Sequence, residues 1–413
     1  MKLPLEVGKI VTVTGVRRSG KTFLLYQTIR ELQDKIPSQK IVYFNFEDER
    51  LQLNLQEMEL ILTAYRELYP DISLNEVYFF FDEIQNVEGW ETFIRRLYNQ
   101  FDSRIYLTGS NSRMLSSEIA TALRGRTIQY EVFPFSFAEY LSAFNMEIND
   151  QLFYLPDKRA KVFSLFTQYL QWGGFPEIVF TENEEFRIKI LQEYFEVMLY
   201  RDLIERFGFR QVNAVKFFLK RFVENITSPL SIHKIYNELK SQGYKIAKDL
   251  LYDIFEGAEN IYLLIPAKKY SESVLKREQA QKKVFLVDTG LVNTLTFSFS
   301  QNWGKLLENA LARELKARFG NLYYFRGTKE CDFIIEYGGR FVPIQVTYSI
   351  ENEETLNREV KGLVEAVKYL ITSHGYLVTM DDEKELQMDG ITIHIIPAWK
   401  FFLKWEEFFY ELS

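Results

Sequence analysis

The chain has 413 residues, 47% hydrophobic and 26% charged, which is enough apolar material for real cores in roughly two to four domains. A net charge of -7 argues against a general polyanion binder, and the single cysteine, Cys331, excludes an internal disulfide and points to a reducing compartment. No stretch approaches the ~18 consecutive apolar residues needed to span a bilayer, and Met1-Lys2-Leu3-Pro4-Leu5-Glu6 shows no secretory pattern, so a cytoplasmic chain without membrane contact is expected.

Four short apolar runs mark the first third. Lys9–Thr14 reads as a buried strand, with a helix from Thr22 to Gln33 behind it. Ile41–Phe46, Val77–Phe81 and Arg104–Thr108 read as a second, third and fourth strand. Strands that alternate with helical patterns imply a parallel sheet covered on both faces, with ligands at the carboxyl ends of the strands.

Between the first strand and its helix lies Gly15-Val16-Arg17-Arg18-Ser19-Gly20-Lys21-Thr22, a complete phosphate-loop pattern in the context that gives it meaning. Gly15 and Gly20 let backbone N–H groups of the loop, including those near Arg18 and Ser19, close around phosphates at a helix N-terminus. Lys21 reaches the outer phosphates and the Thr22 hydroxyl ligates Mg²⁺. The expected cofactors are therefore ATP and Mg²⁺.

The third strand ends in Asp82-Glu83. Asp82 is placed to support the metal, and Glu83 to polarise an attacking water, which makes the chain a hydrolase. A merely solvated strand end is the bland alternative for this pair taken alone. After the fourth strand, Ser110 or Asn111 in Thr108-Gly109-Ser110-Asn111 could hold the γ-phosphate or the water. Further on, Arg124 or Arg126 in Leu123-Arg124-Gly125-Arg126 could stabilise transition-state charge at a neighbouring subunit's site, or form an ordinary salt bridge.

These residues resemble a family of prokaryotic AAA-like ATPases with a doubled arginine in the phosphate loop and a C-terminal nuclease-like domain. The likeness is carried by Arg17–Thr22, Asp82-Glu83-Ile84-Gln85, Leu107–Asn111, Arg124-Gly125-Arg126 and Gly173-Gly174-Phe175-Pro176. It implies an AAA-type core, a polar sensor residue after the fourth strand, and ring or partial-ring assembly. Only about nine residues precede the first strand, fewer than the family usually has, so adenine recognition is not placed.

From about Phe135 the pattern turns helical, with a long helix over Glu185–Arg206. Arg201 and Arg206 at its end are either second-sensor arginines or members of intrahelical ion pairs. Three short helices, Asn213–Glu224, Ser231–Ser241 and Ile246–Ala258, precede the apolar pair Asn260–Ala267 and Lys283–Val287, which fits a winged helix. Glu205–Asp288 holds 15 Lys/Arg against 10 Asp/Glu, a basic middle in an acidic chain. Lys245, Lys248, Lys268, Lys269, Lys276, Arg277, Lys282 and Lys283 could contact DNA phosphates, whereas Asp249, Asp253 and Glu256 favour a protein-packing module.

From Trp303 the order is helix, three strands, helix, strand, resembling a restriction-endonuclease-like fold. Glu308 and Asp332 suit its metal site, but Gln345 and Thr347 stand where a second carboxylate and a lysine belong, so an inactive nuclease shape is expected. His233, His374 and His394 show no ligand spacing.

The combined expectation is an α/β multidomain chain: a P-loop core over 1–134, a helical lid over 135–205, a winged helix over 206–295 and the nuclease-like domain over 296–413. It would bind and hydrolyse ATP with Mg²⁺, form a homo-oligomer, and act with DNA or a protein partner. An ATP-dependent nuclease and a non-hydrolysing nucleotide-gated switch are the alternatives.

Overall fold

The computed structural model describes residues 1–6, 8–51, 53–101, 103–110, 125–149, 151–296 and 302–409. They form two compact units: Met1–Phe133 with Asn260–Tyr262, and Pro134–Glu259 with Leu263–Ser413.

The first unit is a five-stranded parallel sheet. Its strands are β1 (Ile10–Gly15), β2 (Ile41–Asn45), β3 (Tyr78–Asp82), β4 (Arg104–Gly109) and β5 (Thr127–Val132), in spatial order β2-β3-β4-β1-β5. Helices α1 (Lys21–Gln33), α2 (Glu59–Leu68) and α3 (Trp90–Gln100) connect them. Both faces are covered, which is why β3 is an unbroken apolar run. Phe79 and Phe81 pack with Trp90, Phe93 and Leu97 on one side, while Phe80 packs with Leu24, Leu25 and Tyr106 on the other. Each of these fully buried phenylalanines contributes about 2–3 kcal/mol relative to exposure. Strand β5 is absent from the periodicity reading. Its residues are mostly half-buried because it is an edge strand, so its hydrophobic signal is weak.

In the second unit, α4 (Phe137–Ala143), α5 (Pro156–Trp172) and α6 (Glu184–Val197) come first; α6 runs on into a π-helical turn over Met198–Glu205. Then follow α7 (Val212–Glu224), α8 (Ile232–Ser241) and α9 (Lys248–Asn260), with an antiparallel hairpin of β6 (Leu264–Lys269) and β7 (Lys283–Leu286). A bridge between Leu230 and Lys282 ties the segment before α8 to this hairpin. On α9, Leu251, Ile254, Phe255 and Ala258 are buried. Asp249, Asp253 and Glu256 line its exposed face.

After α10 (Thr289–Leu295) and α11 (Trp303–Phe319) come β8 (Tyr323–Arg326), β9 (Glu330–Tyr337), β10 (Arg340–Val346) and α12 (Glu353–Tyr369). The sequence reading expects one further strand. The structure has three, β11 (His374–Thr379), β12 (Lys384–Met388) and β13 (Ile391–Pro397), followed by α13 (Ala398–Phe409). Strands β8, β9 and β10 run antiparallel, and β11 is parallel to β10. Strand β6 pairs in parallel with β8, so one eight-stranded sheet, β12-β13-β11-β10-β9-β8-β6-β7, spans both the 206–295 and the 296–413 segments.

The turn Gly173-Gly174-Phe175-Pro176 is anchored inside this unit. The Gly174 N–H donates to Asp288 Oδ2 at 2.7 Å, and the Gly290 N–H to its Oδ1 at 2.9 Å. Burial pushes the Asp288 carboxyl up to about 6, against the lowering pull of those N–H groups.

Candidate nucleotide site

The site lies where β1, β3 and β4 end. Strand β4 stands between β1 and β3, so its carboxyl end lies between the phosphate loop and the acidic pair. Gly15 closes β1 against Val132 of β5; a Cβ there would lie 2.0 Å from the Val132 carbonyl oxygen. Gly20 begins α1 with φ 99°. Arg18, with φ 68°, and Glu83, with φ 52°, also hold left-handed backbone. Strain of this kind, about 1–3 kcal/mol per residue, gathers where a loop is shaped for a ligand.

Lys21 is buried, and its Nζ donates to the carbonyls of Gly15 and Val16 at 3.1 Å each. The same ammonium lies 3.8 Å from Glu83 Oε1. Ser19 is 3% exposed, and its hydroxyl has no hydrogen-bond partner among the described residues. An orphaned buried hydroxyl costs about 1–3 kcal/mol unless a ligand satisfies it. Together with the ammonium and the helix N-terminus, it makes a cradle that fits an anion such as a phosphate.

The Thr22 hydroxyl donates to Asp82 Oδ2 at 2.8 Å, joining the two motifs where a hard cation with oxygen ligands would sit. Two further donors hold Asp82. The Tyr43 hydroxyl of β2 reaches Oδ2 at 2.9 Å, and the Thr108 hydroxyl of β4 reaches Oδ1. Thr108 also accepts the Glu83 N–H at 2.9 Å, so one hydroxyl fixes both acids. Burial, then the Tyr26 hydroxyl and the Asp82 charge, push the Tyr43 phenol far above its usual range and keep it a donor. Gln85 donates to Glu83 Oε2, and its own Oε1 has no partner among the described residues. The Tyr262 hydroxyl donates to Thr14 Oγ1 at 2.7 Å, one residue before the loop.

Gly15, Arg18, Ser19, Gly20, Lys21, Thr22, Asp82 and Glu83 are thus gathered at the carboxyl ends of β1 and β3. Asn111 and Arg124 lie outside the described residues; Ser110 is buried at the end of β4. Arg126 sits at the opposite end of the sheet: its carbonyl accepts the Ile10 N–H, and its guanidinium donates to Asn99 Oδ1 and lies over Tyr98. Sequence reading missed Tyr43, Gln85 and Thr108. Gln85 and Thr108 lie in motifs that carry the family resemblance, but nothing in their spacing gave either a role, and Tyr43 carried no signal. In the second unit, Arg206 pairs with Asp202 at 3.8 Å within its own helix.

One wing cation needs correction. Lys283 cannot meet DNA phosphates, because it is 1% exposed and ringed by Glu308, Glu330 and Asp332. Among the described residues no helix is long and apolar enough to cross a membrane, and no group of three or more His, Cys, Asp or Glu could hold a metal ion.

The AAA domain family matches residues 7–141, which contain every element of this site. Two domains of unknown function, DUF8612 and DUF4143, match residues 164–302 and 303–401. The Walker-type ATPase PABY2304 of Pyrococcus abyssi is similar at 17% identity and a TM-score of 0.41, over 69% of this chain and 90% of that one. An uncharacterized protein of Haemophilus influenzae is 30% identical over 94% of both chains. The uncharacterized protein MJ1544 of Methanocaldococcus jannaschii is 34% identical over 98% of this chain and 90% of its own length. This chain therefore belongs to the same family as MJ1544, with a P-loop AAA domain at its amino end.

Proposed function

We propose that the chain binds MgATP at the β1 loop and hydrolyses it with Glu83 as general base. The observation that carries this reading is the Thr22–Asp82 hydrogen bond, with Thr108 holding Asp82 and the Glu83 backbone together. Lys21 leaves the Gly15 and Val16 carbonyls to meet the outer phosphates, and the Ser19 hydroxyl gains its missing partner there. Thr22 and Asp82 would hold Mg²⁺, which when bound neutralises phosphate charge. Glu83, released from the nearby ammonium, takes a proton from water, and the unpaired Gln85 Oε1 is placed to orient that water.

Phosphate release and nucleotide affinity test this together. Glu83→Gln should lower turnover at least about 100-fold while leaving ATP affinity within about threefold of the parent. Unchanged phosphate release would remove Glu83 as the base and favour a nucleotide-gated switch. No binding of adenine or guanine nucleotides would end the reading altogether.

The remaining parts extend the proposal. Arg124 or Arg126 would serve a second subunit's site in a homo-oligomer; the position of Arg126 at the sheet end remote from its own loop supports a role in trans. Residues 135–205 would act as the lid. Residues 206–295, with helices α7–α9 and the β6–β7 hairpin, would act as a winged helix that contacts DNA through exposed Lys245 and Lys276 and half-buried Lys269, rather than through the acidic face of α9. Residues 296–413, in which α11, three strands and α12 are followed by three strands rather than one, would form a nuclease-like fold that acts as a grip rather than a cutting centre.

A further inference from the structure

In the C-terminal sheet, Lys283 is an ammonium where a nuclease-like centre would keep a metal ion. It enters from β7. The Asn309 side chain fixes that strand alongside α11: it accepts the Leu286 N–H at 2.8 Å and donates to the Leu286 carbonyl at 2.9 Å. This pairing sets β7 one residue from Glu308 on the same helix. Lys283 Nζ then lies 3.1 Å from Glu308 Oε1, 2.8 Å from Glu330 Oε1 and 2.8 Å from Asp332 Oδ1.

The surrounding contacts leave no vacancy for a second cation. Asp332 Oδ2 accepts the Val346 N–H at 3.1 Å, and Gln345 is spent between the Asp332 N–H at 3.0 Å and Glu359 Oε2 at 2.6 Å. Thr347 hydrogen-bonds to the Ser349 carbonyl at 3.4 Å. The residues present therefore do not fit a divalent ion in this state. A fully buried ammonium is tolerable here because Glu308 and Asp332 lie close enough to repay its lost hydration, while Glu330 completes the ring from a partly solvated position. Burial alone would lower the lysine, but Asp332, Glu308 and Glu330 overcome it and hold the charge in place.

The geometry points to Lys283 as a built-in replacement for the divalent cation: its ammonium is the counter-charge of a nuclease-shaped centre, keeps metal out, and locks β7 to α11 and β9. This rests on the nuclease-like reading of the C-terminal fold and not on the nucleotide loop. A compact point charge on a flexible stem can do this, whereas a planar guanidinium would not fit the same three-oxygen pocket as well. Once the ammonium is removed, Glu308, Glu330 and Asp332 are left with uncompensated negative charge that a hard cation would answer by drawing them together.

Mn²⁺ titration of the full chain, nucleotide-free and in an Asp82→Asn background to silence the other cation position, reads this directly. With Lys283 present, no stoichiometric Mn²⁺ should bind. Lys283→Ala should take up one Mn²⁺ per chain at least about tenfold more tightly, and adding Asp332→Asn should abolish that gain. Should Lys283→Ala not fold alone, Mn²⁺ should restore its folding, or that of Lys283→Ala/Glu330→Gln, in which one repelling charge is gone. Mn²⁺ binding to the parent that Asp332→Asn abolishes would overturn the inference. So would folded Lys283→Ala without a new site, or failure of Mn²⁺ to restore either variant. Cleavage of DNA by the parent with Mn²⁺ would instead refute the non-catalytic reading of the fold; absence of both cleavage and a new site would remove only the role given to Lys283.

Discussion

Two glycines of the phosphate loop should respond very differently to the same added methyl group. At Gly15 an alanine Cβ would lie 2.0 Å from the Val132 carbonyl oxygen, 2.9 Å from its carbon and 3.1 Å from its nitrogen. All three are backbone atoms of a paired strand, so no side chain can rotate away. Overpacking costs about 1–3 kcal/mol, and the unusual backbone adds about 1–2 kcal/mol, so Gly15→Ala should lose about 2–5 kcal/mol. At Gly20, with φ 99°, a Cβ meets nothing within 4 Å, and only the backbone term of about 1–2 kcal/mol remains. With a urea slope of about 2 kcal/mol per molar, the midpoints should fall by about 1–2.5 M and by about 0.5–1 M respectively. Hydrogen exchange of peptides from β1 and β5 isolates the first unit, and should show β5 deprotected by Gly15→Ala alone. Equal midpoint shifts for the two variants, or a β5 indifferent to Gly15→Ala, would refute the argument that strand proximity dictates this glycine.

Thr108→Val keeps the shape but removes the hydroxyl shared by Asp82 and the Glu83 N–H; turnover should drop about 10–100-fold with little change in ATP affinity, as steady-state kinetics beside equilibrium binding would report. Tyr43→Phe removes one donor from Asp82, and should weaken Mg²⁺-dependent ATP binding more than Mg²⁺-free binding in titration calorimetry. The Asp288 pKa predicts a pH effect of definite sign: because it is raised to about 6, its stabilising contribution is complete below the unfolded value near 4 and is lost as pH rises through 6. From pH 3.5 to 7 the parent should lose about 3 kcal/mol relative to Asp288→Asn, measured as the difference in urea midpoints at the two pH values. Cys331 is fully buried, and burial, then the Asp332 charge, push its thiol far above the usual range, so a thiol reagent should label it only as the second unit unfolds.

The amino-acid sequence by itself determined the phosphate loop, the acid pair and the strands that carry them, because these are local signals. A glycine-bounded loop between a strand and a helix has one sensible backbone, and a strand buried on both faces must read as continuous apolar residues, as Tyr78–Phe81 does. It also showed that Gln345 and Thr347 depart from a metal-binding pattern. Spatial order was not legible. That β4 stands between β1 and β3 follows from how the helices cross the sheet, and it makes Thr108 a partner of both acids; the pairing of β2 with β3 makes Tyr43 a neighbour of Asp82. Nor could spacing place Lys283: 25 residues separate it from Glu308 and 49 from Asp332. Its membership of the wing hairpin made it look like a solvated cation, and only the packing of β7 along α11 turned it into the buried partner of three carboxylates. Chemistry that depends on adjacent residues can be read from the chain; chemistry that depends on which strands become neighbours is decided by the tertiary fold.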